Sequence, residues 1–82
     1  MKVAVVCRTQ EEAVALAARL GMTQSSVPMA AEQSPVLGHR FTAVLIRSVA
    51  AKGVKDLEWW ESLFARTTGP VYTLDQWADA DA

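Results

Sequence analysis

The sequence holds one cysteine, Cys7, one histidine, His39, and no apolar run near the roughly 20 residues that a membrane-spanning helix needs. A lone cysteine closes no internal disulfide, and secreted domains of this size usually depend on several. A soluble protein in a reducing, cytoplasmic compartment is therefore expected. The start, Met1-Lys2-Val3, enters an apolar strand pattern directly, without the long apolar region and small-residue cleavage site of a signal peptide. His39 has no second histidine and no cysteine near it in sequence, so no metal-ligand set forms. Charge of one sign is missing as well. Eight basic and nine acidic residues are scattered along the chain and leave a formal net charge of −1. No cationic field is available to neutralise a phosphate backbone, and nucleic-acid binding is not expected. No G-x-x-x-x-G-K-[ST] loop and no nucleophile-elbow context around Ser25, Ser26, Ser34 or Ser48 is present, so neither a cofactor nor a catalytic residue is assigned.

What is present is apolar patterning. Val3-Ala4-Val5-Val6 and Phe41-Thr42-Ala43-Val44-Leu45-Ile46 are nearly unbroken apolar runs, each followed by residues with helical spacing. Such runs, rich in β-branched residues and lacking polar alternation, suit strands covered on both faces, as in parallel sheets. The expected fold is α/β: a three- to four-stranded, mainly parallel sheet with two crossover helices, in the order β-α-(β)-β-α-β. The 82 residues make one domain, placed at residues 1–75, with an acidic tail at 76–82.

The first strand is expected over residues 2–7 and the first helix over 11–20. Thr9-Gln10-Glu11-Glu12 forms a capping box before it, and Gly21 sits where a left-handed cap would end it. Val14, Ala17 and Ala18, with Ala13, Leu16 and Leu20, make its apolar arc. Pro28 and Pro35 interrupt residues 22–38; Pro28 excludes a central strand, leaving room for a short edge strand at 26–29 and a helical turn at 30–33. A strand at 40–47, a helix at 57–66 capped by Asp56, and a strand at 71–74 complete the chain. Leu57, Trp60, Leu63 and Phe64 should face the core, with Trp59 on the border.

Open parallel sheets bind ligands beyond the carboxyl ends of their strands, where loops and helix N-termini converge. Those ends present Cys7, Arg8 and Thr9, then Arg47 and Ser48, then Asp75. Arg8, Thr9, Arg47 and Ser48 form a candidate anion site, although Glu11 and Glu12 would oppose a bound phosphate and could pair with the arginines. Cys7 before a helix is similar to the phosphocysteine strand-loop of sugar-phosphotransferase IIB domains, but Arg8-Thr9-Gln10-Glu11 replaces their small-residue loop. A buried, inert thiol is expected.

Three tryptophans are generous for this length, and Trp59 and Trp77 are the candidate interface residues. If the strand order runs in one direction, right-handed crossovers put both helices on the same face, and a neighbour must bury the other. These features lead to a non-enzymatic protein-interaction module, expected as a homodimer. The run Gly38-His39-Arg40-Phe41-Thr42-Ala43-Val44-Leu45-Ile46, after a threonine cap and an alanine-rich helix, resembles the segment of helicase-type and terminase-type nucleotide-binding cores that includes the acidic Walker B strand. Arg47 and Ser48 stand where the magnesium-binding acidic pair would be, which disfavours ATPase activity. In size and alanine richness the chain resembles small proteins of unassigned role from bacteriophages of high-GC actinobacteria, which implies an accessory protein binding a host or phage factor. The alternative is a small-anion or nucleotide-binding domain using the carboxyl-end rim.

Overall fold

β1 (Val3–Cys7) is buried along its whole length, as an unbroken Val-Ala-Val-Val-Cys run requires. The computed structural model describes residues 2–74; Asp75, Trp77 and the tail at 76–82 lie outside the described residues. After β1 come α1 (Gln10–Arg19), β2 (Ser26–Ala30), β3 (Ala43–Arg47), a short 3₁₀ turn (Ser48–Ala51), α2 (Leu57–Ala65) and β4 (Val71–Leu74). The four strands form one parallel sheet in the order β2-β1-β3-β4. The expected α/β fold is thus present. The strand predicted from residue 40 starts at Ala43, and Phe41 before it makes only an isolated bridge to Thr67.

The chain moves outward from β1 to β2, then returns past β1 to lay down β3 and β4 on the other side. Right-handed crossovers in opposite directions place their connections on opposite faces. Ala13, Leu16 and Ala17 of α1 accordingly pack with Val3, Val5 and Cys7, while Trp59, Trp60 and Leu63 of α2 pack with Ala4, Val6, Val44 and Ile46. Val36 and Phe41, from the helix-free connection between β2 and β3, join the α2 side. Both faces of the central strands are therefore covered from within the chain. The strand order does not run one way, so the condition under which a neighbour had to bury a bare face is not met.

Pro28 lies in β2, an outer strand, where its missing N–H breaks no ladder on a second side. The helix faces differ from the simple periodic reading. Trp59, expected on the border, is only 8% exposed, whereas Leu57 and Phe64, expected in the core, are 63% and 42% exposed. A helix of nine residues makes only about two and a half turns, so its orientation follows its few anchors. Here the anchor is Trp59, whose indole Nε1 donates to the Ser34 carbonyl at 2.7 Å. On α1, Val14 and Leu20 are likewise half-exposed, because contact narrows to Ala13, Leu16 and Ala17.

Candidate functional site

The carboxyl ends of β1 and β3 lie side by side where the strand order reverses, which is the place such sheets open a crevice. Of the four residues expected to hold an anion there, two are already engaged. Thr9 Oγ1 accepts the Glu12 backbone N–H at 3.1 Å and caps α1. Arg47 Nη1 donates to Glu12 Oε1 at 2.6 Å. The capping box is therefore half-formed: the Glu12 carboxylate turns to a charged donor, which binds it more strongly than the neutral N–H of Thr9 could. Ser48 opens the 3₁₀ turn and is half-buried. Arg8 is exposed, on the wall of a recess of about 300 Å³.

Two lysines line that recess together with Arg8. Lys52 and Lys55 come from the connector between β3 and α2, and Ala31, Glu32 and Gly53 are among the residues that share the wall with them. The sequence reading took only the one or two residues that follow each strand and so missed both lysines. Following the carboxyl-end rule one connector further, through Lys52-Gly53-Val54-Lys55, would have reached them.

Glu32 organises the recess. It follows β2 with φ +62°, the left-handed region that non-glycine residues seldom adopt. That turn carries its carboxylate to the start of α2. Oε1 accepts the backbone N–H groups of Lys55 and Asp56 at 3.3 and 3.2 Å, and Oε2 accepts Trp60 Nε1 at 2.8 Å. The N-terminus of α2 is thereby closed by two carboxylates, since Asp56 Oδ1 also accepts the Trp59 N–H at 3.2 Å. The Trp60 indole holds Glu32 below its ordinary pKa of 4.5, and the two backbone donors and Lys55 pull in the same direction against a smaller effect of burial. A carboxyl whose folded pKa is depressed stabilises the fold above its unfolded value, and that contribution is lost as pH falls through the folded value. Glu32→Gln should therefore lower the thermal midpoint at neutral pH. The two proteins should converge well below the ordinary carboxylate pKa of 4.5. Melting curves across the acid range check this; a constant difference between the two proteins would refute it.

Cys7 is fully buried in the α1-side cluster. Burial chiefly, and the Glu12 carboxylate next, push its thiol up to about 11, with Arg47 pulling weakly the other way. Almost no thiolate forms at neutral pH, so the residue behaves as a small apolar side chain. Trp59, a candidate interface residue, keeps its ring inside the chain, stacked edge-on against Trp60 with centroids 4.9 Å apart. Trp77, the other candidate, lies outside the described residues. No group of three or more His, Cys, Asp or Glu side chains among the described residues could hold a metal ion. No helix among them is long and apolar enough to cross a membrane.

The comparisons with known proteins add no relative: the chain matches no family model, no curated protein and no solved structure.

Proposed function

We propose that this chain acts by binding, and that its ligand is a small anion, such as a phosphate or the phosphate end of a nucleotide, seated in the carboxyl-end recess. One observation carries the reading. Arg8, Lys52 and Lys55 converge on a single cavity at the point where the strand order reverses, and the carboxylate on its wall, Glu32, already accepts three N–H groups. Three cations against one committed anion leave a surplus of positive charge in a concave site, which favours an anionic guest. Of the residues expected from the sequence, Arg8 takes part directly. Thr9 and Arg47 act behind it, holding the start of α1 in place.

A thermal-shift titration with inorganic phosphate, pyrophosphate and ATP tests the reading. A ligand at about 100 times its Kd should stabilise the fold by about 2.7 kcal/mol. The double variant Lys52→Gln/Lys55→Gln should cut the shift sharply while leaving the unliganded melt close to that of the parent. No stabilisation by any of the three, or a shift as large in the double variant as in the parent, would rule out this recess as the site.

A second reading, contact with another protein and first with a second copy of the chain, is favoured by β4. This strand pairs only with β3 among the described residues, and Tyr72 on it is 52% exposed. An outer strand with free backbone groups is a template for further pairing. Sedimentation equilibrium at high micromolar concentration decides it, and a strict monomer there removes it.

A further inference from the structure

We propose a second binding site, independent of the carboxyl-end recess and at the opposite end of the sheet, for a small phosphate monoester. A cavity of about 390 Å³ opens there between the turn at residues 38–40 and the end of α2, with His39, Arg40, Arg66 and Thr68 on its walls and no carboxylate among its lining residues. That volume falls within the range of small-molecule sites.

The cavity's polar groups are held in place from behind. Lys2 Nζ lies 3.0 Å from His39 Nδ1. An ammonium group has only donors, so in this contact Nδ1 is the acceptor, and Nε2 on the far side of the ring is left to donate. The His39 ring stacks on Phe41 with centroids 5.6 Å apart and planes 22° apart. Arg66 Nε donates to the Val36 carbonyl at 3.1 Å, which fixes the guanidinium plane and leaves its terminal nitrogens without a partner among the described residues. Thr68 Oγ1 donates to the Phe41 carbonyl at 3.3 Å, so its lone pairs can accept from a ligand hydroxyl. Arg40 is exposed and makes no ion pair among the described residues.

A simpler role for these cations is to neutralise the negative end of α2. The magnitudes decide against that as the whole account. A helix terminus is equivalent to about −0.5 charge, and its last carbonyls are already bonded: Leu63 O accepts from Arg66 N and from Thr67 Oγ1, and Phe64 O from Thr67 N. Arg40 and Arg66 bring two full charges to the cavity wall, and Lys2 adds a third behind His39. A phosphate monoester carries about −1.5 to −2 charge at pH 7 on three acceptor oxygens, which suits a fork of guanidinium donors better than a single carboxylate does. The cavity is also far larger than a bare phosphate needs, so an organic remainder fits beside it.

The test is an amide-resolved NMR titration of the full chain with phenyl phosphate, with inorganic sulfate as the comparison. Saturable shifts are expected at Gly38, His39, Arg40 and Thr68. Arg40→Gln should weaken binding about tenfold or more, the size of one charge-assisted hydrogen bond. Arg66→Gln should do the same, and Lys52→Gln/Lys55→Gln should leave this Kd unchanged. The proposal is overturned by the absence of saturable shifts at these amides, by a Kd that ignores both arginine variants or follows the lysine variant, or by sulfate binding as tightly as the monoester. Failure of the carboxyl-end site would leave these outcomes unaltered, because the reporting amides and the variants differ.

Discussion

Gly69→Ala should destabilise the protein by about 3 kcal/mol, the upper end of what overpacking usually costs. An ideal Cβ on Gly69 would fall 1.9 Å from the Thr42 carbonyl oxygen and 3.1 Å from its carbon. Both are backbone atoms, so no side chain can swing away. The two segments are also fastened on either side of the contact: Thr68 N donates to Phe41 O at 2.9 Å, and Val44 N to Pro70 O at 3.0 Å. Relief therefore requires breaking the start of the β3–β4 ladder, on a strand whose own side chains are mostly exposed and give little burial to hold it. In a domain this small, 3 kcal/mol corresponds to a fall in Tm of roughly 12–24 °C. Gly21, Gly38 and Gly53 supply the control. Each has positive φ with nothing within 4 Å of the added carbon, so alanine there should cost only about 1 kcal/mol. Urea unfolding followed by tryptophan fluorescence measures all four. A Gly69→Ala variant within 1 kcal/mol of the parent would show that the strands part freely at this point.

That contact also shows where sequence reasoning stops. β1 and β3 are legible because a strand covered on both faces must be apolar at every position, and Val3–Cys7 and Ala43–Arg47 nearly are. Pro28 marks β2 as an outer strand before any coordinates are known. The ordering of the strands is not written in any one segment. It depends on which side of β1 the chain returns to after β2, and the coverage of both faces follows from that. The candidate sites divide the same way. Arg8 is predictable, since it follows β1 directly. Glu32 is not, because its role depends on a left-handed turn that no propensity would assign to glutamate. The amino-end cavity was missed for a similar reason: Lys2, His39 and Arg66 are brought together only when β1, the long connection and the end of α2 meet. The residues whose chemistry is set by neighbours in sequence were readable, and those set by the crossover were not.

Phe41→Ala should cost about 4 kcal/mol, enough to leave a domain of this size close to unfolding at ambient temperature. The ring is 1% exposed and sits in the α2-side cluster with Val36, Val44 and Leu63, where its removal opens a cavity. Its backbone bonds should survive truncation: Phe41 N donates to Arg66 O at 2.8 Å and Thr68 N to Phe41 O at 2.9 Å, and neither uses the side chain. Loss of stability would therefore report packing alone. Phe41→Leu keeps most of the volume and should cost about 1 kcal/mol, yet it removes the aromatic face on which the His39 ring rests. The pair of variants separates core from site. If stacking on Phe41 holds the imidazole in its donor orientation, Phe41→Leu should weaken phenyl phosphate binding at the amino-end cavity well beyond its small effect on unfolding. Equal affinity in the leucine variant and the parent would mean that Lys2 alone orients His39, and that the ring beneath it serves the core only.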